Sequence, residues 1–593
     1  MKGRKGLGFL TLWLGGLLYG QLDIFYGKLT FRVAPPDSVL WAETEWHFAG
    51  WTADTLTWDL GEGLDVQTVE ASFGVRAFWR NPAQRKVYIL PHTPLSGAPA
   101  WVRVRYTGVP RSSGFGSYEI KPHSTGWTVW TLSQPYGAPD WLFCRDGLSD
   151  KVDSLDICIV TPDTLIGVAN GKLIADTVDA HRWRWRHFRH RYPIAVYLIA
   201  FAASNYIVQE FPVQTALHRF ILRNYVYPQD TGRARLLSQQ FLPYFQWLEE
   251  RIGPYPFANE DYNQVQIGWG GGMEHQTITF FGSYSLELWA HELAHQWFGD
   301  WVTCGSWQDI WLNEAFATYL GGTVYEAVAQ EWWKLWRYYI VRHAWRDTQR
   351  TIFVEDTTDV WRIFHYPTTY AKGAIALHGV RLYVGEAAFW RGLREYLTRY
   401  AGGFARSAQF QEAVEEAWGR EVAHTFLQSW IYRPHYPRAA VAWQDEYSCT
   451  ISPIERYPLR VPLRVRFISG DSAEYMADLM QRQVSLSFSE AVQSWEIDAD
   501  TVFPYWGVRR GVVASAKGRV FPNPFTDRLY ISMEGLRKAV LYDLSGRIVA
   551  LYEAASQREP FIWELPDLAG GLYLLRLEGE KGTSTMRLLH LSP

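Results

Sequence analysis

Cysteine is scarce. The 593 residues hold only Cys144, Cys158, Cys304 and Cys449, widely spaced and with no Cys-x-x-Cys. That spacing suggests neither a thiolate zinc site nor a dense disulfide framework. One disulfide in an oxidising compartment stays open, with no pairing readable. An excess of one charge is missing as well: 58 Lys and Arg against 61 Asp and Glu leave a net charge of −3. A nucleic-acid binder draws its affinity from neutralising phosphates, so this balance argues against a polyanionic partner. Beyond the first twenty residues no segment is long and apolar enough to span a bilayer, and no solenoid repeat is visible.

What is present begins with "MKGRKGLGFLTLWLGGLLYG". Lys2, Arg4 and Lys5 precede an apolar run that ends in small Gly20, which predicts a secretory signal peptide cut near Gly20-Gln21. An uncleaved anchor is the competing reading, disfavoured because a span needs about 20 apolar residues. Tryptophan is abundant at 31, which points to aromatic-rich β cores, with sugar-stacking platforms as the alternative. At roughly 150 residues per domain the length predicts three to five domains.

Residues 21–208 show short alternating runs such as "WVRVRY" and "IAVYLIAF" between Gly, Pro, Asn and Asp clusters, a β-rich domain. Within it, "HRWRWRHFRHRYP" (181–193) could suggest an anionic ligand. Its alternation fits a strand better, with Trp183 and Trp185 inward and the arginines solvated. From 209 to 435 the period turns helical, as in "RARLLSQQFLPYFQWLEERIG", with Gly253 as a stop signal. Residues 436–515 return to strands consistent with a β-sandwich, and a last unit occupies 516–593. The fold class expected is multidomain α+β.

The chemistry concentrates in "SYSLELWAHELAHQWFG". Read as one helix, it has an apolar stripe of Leu286, Trp289, Ala290, Leu293 and Trp297 and a stop at Gly299. His291 and His295 lie nearly opposite that stripe. One turn apart, they can offer ring nitrogens to a single Zn²⁺. Glu292, rotated about 100° from His291, flanks such an ion and is placed to take a proton from its water. A catalytic zinc needs a third protein ligand, and "DIWLNEAFATYL" predicts a second helix from which Glu314 faces back toward the histidines. Upstream, "GWGGGMEHQT" (268–277) is either a loop or bulged edge strand, or a strand whose backbone pairs with an extended peptide while Glu274 meets a cation. Downstream, Tyr366 or Tyr370 could stabilise an oxyanion, though a tyrosine is most often a packing residue.

Taken together, these residues resemble the M1 family of zinc metallopeptidases, the gluzincin aminopeptidases that include aminopeptidase N and leukotriene A4 hydrolase. The resemblance implies a thermolysin-like catalytic domain at 209–435, with His291, His295 and Glu314 as ligands of one Zn²⁺ per chain and Glu292 as general base. The family's Gly-x-Met-Glu-Asn segment is similar to Gly271, Gly272, Met273, Glu274 and His275. It implies that Glu274 holds the free α-amine of a peptide substrate; His275 stands where Asn is usual. The Tyr-x-Lys-Gly element, here Tyr370 to Gly373, selects Tyr370 over Tyr366. Gln134 is implied as a second contact at the amine end.

The tail, from "VFPNPFTDRLYI" to "TMRLLHLSP", has short strands bounded by Asn-Pro, Ser-Gly and Gly-Gly. It resembles the C-terminal sorting domain of the type IX secretion system, which implies that machinery as a partner and a secreted or cell-surface location. An accessory binding sandwich is the other reading. The expectation is a secreted aminopeptidase cutting the N-terminal peptide bond. Its rivals are a hydrolase of another bond, such as an epoxide, and a non-catalytic zinc-containing surface binding protein.

Overall fold

The computed structural model describes residues 22–497, 510–512, 519–533, 535–557, 561–579 and 582–591. The expected signal peptide, 1–20, and its junction with Gln21 lie outside the described residues. The chain divides into two compact units. One gathers the residues up to 212 with 219–236 and 257–283; the other holds 213–218, 237–256 and everything from 284.

The first unit is built on a seven-stranded sheet in the order 172–178, 183–190, 155–162, 23–34, 37–49, 100–108, 64–71. Alternation along Asp23–Ala34 sends Leu29, Phe31 and Val33 inward, as a half-buried strand requires. Its core is aromatic: Phe31, Trp141 and Phe201 meet with ring centroids 5.1–5.4 Å apart, and Trp58 stacks on Phe143 at 5.1 Å. Trp46 joins them and donates its indole N–H to the Phe143 carbonyl at 2.7 Å, so a large apolar body is buried with its one polar atom satisfied. Each such burial contributes about 1.5–3 kcal/mol. Core packing thus accounts for many of the tryptophans.

Residues 183–190 form a strand, but its phase is opposite to the one expected. Arg186, Phe188 and His190 are buried, while Trp185 is 39% exposed. The inward arginine is tolerated because Asp176 sits directly opposite on the neighbouring strand, 3.2 Å away, and the Gly167 carbonyl accepts a further bond at 2.6 Å.

The same unit ends in parallel strands Arg219–Val226, Tyr262–Gln266 and Ile278–Phe281, with Gly272–Met273 antiparallel to the last and terminal in the sheet order. The helical reading from 209 onward misses this sheet. Tyr262–Gln266 and Ile278–Phe281 are buried at every position, so they show no alternation to read.

The second unit carries most of the helices, among them α1 (Thr231–Ile252, which begins in the first unit), α2 (Leu286–His295), α3 (Trp311–Val328), α4 (Trp333–Ala344), and a π-helical turn, Tyr366–Lys372, that runs into α5 (Gly373–Val384). Two sheets follow. Ala439–Asp445, Ser448–Pro453 and Val484–Ser487 make one; Ser472–Asp478, Arg460–Phe467, Val492–Ile497 and Arg510–Val512 make the other. The tail closes a core of its own around Phe525, Leu529, Ile531, Leu541, Trp563 and Leu575. All four cysteines are free. Among the described residues no helix is long and apolar enough to cross a membrane.

Candidate active site

Helix α2 starts at Ser285, whose hydroxyl accepts the Leu288 N–H at 3.3 Å. A cap of this kind is worth about 1 kcal/mol. Trp289, Ala290 and Leu293 are fully buried, which fixes the rotation of the helix and leaves His291 and His295 on the other side. The helix ends at His295, not at the expected Gly299. Past it the chain turns so that the His295 Nδ1–H donates to the Phe298 carbonyl at 2.9 Å, and Gly299 takes φ +134°. A Cβ at Gly299 would stand 3.1 Å from His295 Nδ1. This turn sets the His295 tautomer with the proton on Nδ1 and the lone pair on Nε2, the usual outer support of a metal-ligating histidine.

Helix α3 brings Glu314 to the same point. It approaches α2 closely at Gly321, two turns beyond Glu314 on the same face; a Cβ there would lie 3.0–3.2 Å from the backbone and Cβ of His291. As a result, His291 Nε2 and His295 Nε2 are 3.1 Å apart, and Glu314 Oε2 is 3.5 and 3.3 Å from them. Donors ~2.0–2.1 Å from a tetrahedral ion are ~3.4 Å from one another. Two imidazoles and one carboxylate at these separations fit Zn²⁺ in number, type and spacing. Burial would raise the Glu314 carboxyl, but the His295 and His291 rings outweigh it and hold it down at about 2. Burial lowers His291 despite Glu314, which favours the neutral form that can ligate a metal.

Glu292 is 3% exposed, on the same helix as the two histidines. Tyr370 is half-buried on the π-helical turn, with its ring near-parallel to His291 at 6.2 Å, and Tyr366 stacks on Tyr370 at 5.5 Å. Short π-helical segments recur at functional sites. Lys372 pins this one: its buried ammonium donates to the carbonyls of Arg433 at 2.8 Å and Pro434 at 3.0 Å, and burial pushes it down to about 7.

In the first unit, Gln134 Nε2 donates to Glu274 Oε1 at 3.0 Å, and both side chains are buried. Gly272 and Met273 form the short strand at the sheet's end, and Gly271 accepts the Gly282 N–H at 2.8 Å. What positions this segment was not readable from its own residues. The Gln276 amide donates to His190 Nε2 at 2.8 Å and to the Pro193 carbonyl at 3.0 Å. His190 Nδ1–H in turn donates to Glu260 Oε2 at 2.5 Å. Asn170 Nδ2 donates to the Gln276 carbonyl at 2.8 Å, and Thr277, at φ +66°, accepts the Gly171 N–H at 2.8 Å. The one sequence signal was the Asn-Gly pair at 170–171. His275 is fully buried, edge-on to Phe280 at 4.5 Å, and among the described residues neither ring nitrogen has a hydrogen-bond partner. Burial pushes it down to about 3.

Residues 247–430 match the peptidase family M1 domain, and 519–590 the secretion system C-terminal sorting domain. Leucyl aminopeptidase of Saccharolobus solfataricus is 28% identical over 36% of this chain and 28% of its own length. Aminopeptidase N of Streptomyces lividans is 34% identical over 32% of this chain and 24% of its own. The chain thus spans well under half the length of these relatives. An M1 zinc metallopeptidase from Deinococcus radiodurans has a similar fold, with a TM-score of 0.59 and 24% identity, covering 70% of this chain and 94% of that one. Over residues 247–430 the chain is thus similar to the peptidase family M1 domain, its fold is similar to that of an M1 zinc metallopeptidase, and residues 519–590 are similar to the secretion system C-terminal sorting domain.

Proposed function

We propose that the protein is a secreted or cell-surface zinc aminopeptidase that hydrolyses the first peptide bond of substrates with a free N-terminus. The observation that carries the reading is the convergence of His291 Nε2, His295 Nε2 and Glu314 Oε2 within 3.1–3.5 Å inside the M1 domain. These three residues would hold one Zn²⁺, which when bound lowers the pKa of a water and polarises the scissile carbonyl.

Glu292 takes the proton of the attacking water and delivers it to the leaving amine. Tyr370 donates its phenol O–H to the oxyanion as the carbonyl becomes tetrahedral. Glu274, held by Gln134, binds the α-ammonium of the substrate and so limits cleavage to the first bond; Gly271, Gly272 and Met273 lie along the substrate backbone. The parts are the signal peptide (1–20), a β-rich domain (21–208), the catalytic domain (209–435), a β-sandwich (436–515) and a sorting domain (516–593). That last domain is read by the type IX secretion machinery.

The test is Glu292→Gln on the zinc-loaded chain, with hydrolysis of aminoacyl coumarylamides and zinc content measured together. Loss of general-base catalysis lowers turnover by about 10²–10⁴-fold. Zinc stays bound at one per chain. Undiminished turnover, or activity insensitive to a chelator in the wild type, overturns the proposal.

A further inference from the structure

Helix α4 buries Trp336, Ile340, Val341 and Ala344, yet its opposite face is not polar. Leu335, Tyr338 and Tyr339 recur at helical spacing and are 46–53% exposed, with Trp332 at 52% just before them. An exposed stripe of this size on a helix that already has a buried one marks a recognition surface. Here it lines an open cavity of about 850 Å³, closed on its far side by Glu287 of α2, Tyr325 of α3 and Tyr366.

Two further observations say what the cavity serves. Tyr339, His343, Tyr366, Tyr370 and His291 form an unbroken row of rings, with successive centroids 4.2, 5.2, 5.5 and 6.2 Å apart, so the cavity leads to the donor triad. Its charge is also unbalanced. Glu287 is spent on the Trp336 indole at 2.8 Å and the Tyr325 hydroxyl at 3.4 Å. Arg342 and Arg346, one turn apart on the cavity face, meet no carboxylate among the described residues; Arg342 lies over the Tyr338 ring at 5.7 Å.

We propose that this cavity takes the part of the substrate downstream of the scissile bond and selects peptides with a carboxylate there, held by Arg342 and Arg346 over the aromatic floor. The inference rests on the aminopeptidase reading, under which only one residue lies upstream of the cut. A cavity of this volume is much larger than any single side chain, which assigns it to the several residues that follow. Guanidinium forks pair with planar carboxylates, and their flat faces pack on tyrosine, so an acidic residue flanked by apolar ones is the complementary ligand.

The test compares the tetrapeptide amides Leu-Ala-Asp-Ala and Leu-Ala-Lys-Ala as substrates, and the N-acetylated tripeptide amides Ac-Ala-Asp-Ala and Ac-Ala-Lys-Ala, which lack the free N-terminus, as ligands in calorimetric titration of the zinc-loaded chain. Two half-exposed charge pairs together favour the acidic peptides by about tenfold. The preference is expected in KM and in the binding constant. Arg342→Glu with Arg346→Glu inverts it; Arg342→Lys with Arg346→Lys retains part of it, which excludes a general folding defect. Equal affinity for acidic and basic tripeptides, or a preference unmoved by the double reversal, overturns the inference even where coumarylamides are cleaved. Selective binding without any aminopeptidase turnover would instead overturn the proposed function and leave this surface standing.

Discussion

The donor triad and the Glu274 segment are held in place by opposite means. His291, His295 and Glu314 sit within 24 residues of one another, on two helices whose approach is set by apolar packing and by the missing side chain of Gly321. Glu274 directly follows a short strand at the end of a sheet, in a segment tied by a hydrogen-bond network to residues far away in sequence: Gln134, Asn170, His190 and, through His190, Glu260. Packing is non-directional and tolerates neighbours of similar volume; a buried polar network is satisfied as a whole or becomes costly. Substitutions in the two regions should therefore fail differently.

The largest effect is expected at Glu274. Removing one partner of a buried charge contact costs about 2–5 kcal/mol, so Glu274→Ala lowers kcat/KM for unblocked peptides by about 10²–10³-fold. Zinc content stays at the wild-type level. Any slow cleavage of N-acetylated peptides by the wild type is expected to stay unchanged, which a plain loss of folding could not produce. If blocked and unblocked peptides fall together, the segment belongs with the metal site and the contrast collapses.

Gly321→Leu attacks the other region. A side chain between α2 and α3 must push Glu314 away from the histidines, and overpacking costs about 1–3 kcal/mol of stability. Zinc affinity should fall with thermal stability, while the Glu274 preference for unblocked over blocked substrates survives in whatever enzyme is loaded. Retained zinc affinity would mean that the helix approach does not set the triad.

Glu260→Gln sharpens the comparison from the polar side. The amide still accepts from His190, but a charge-assisted bond becomes a neutral one, about half as strong. Destabilisation of about 1–2 kcal/mol is expected. As a positioning change it should raise KM for unblocked peptides more than it lowers kcat, with partial recovery in Glu260→Asp. An unchanged KM would separate the network from the substrate.

The same division explains what could be read in advance. The convergence of the triad was legible because it lies in a local repeat: histidines one turn apart, a stripe that orients them, and a second helix close behind. Even there the helix end was misplaced, since Gly299 serves the turn that buttresses His295 and not the helix terminus itself. The strand at 183–190 was recognised by alternation but given the wrong phase, because an arginine paired across the sheet with Asp176 reads as a solvated residue until its partner is known. The buried strands on either side of the Glu274 segment gave no period at all. The Gln276, His190 and Glu260 chain links positions 70 and 86 residues apart, and no local pattern encodes such pairings. The aromatic face of α4 is amphipathic in both directions, so the pattern alone does not say which stripe is the core.

The smallest effect is at His275, within the Glu274 segment but outside its network. Both ring nitrogens are buried without partners among the described residues, which costs about 1–3 kcal/mol for each unsatisfied group. His275→Phe keeps the edge-on packing against Phe280 and removes both polar atoms, so a gain of about 1 kcal/mol in stability is expected near neutral pH. The pH dependence fixes the sign. Burial depresses the group from an ordinary value of 6.5 to about 3, so between those values the unfolded chain binds a proton that the folded chain does not. The wild type then loses up to about 1.4 kcal/mol of stability per pH unit through this group as pH falls from 6.5 toward 3, and none above 6.5. Thermal melts of the two proteins should run parallel above pH 6.5 and diverge below it, with the Phe variant the flatter curve. Parallel curves throughout would show that His275 gains a partner in solution, and would move it from the packing around Glu274 into the polar network that holds it.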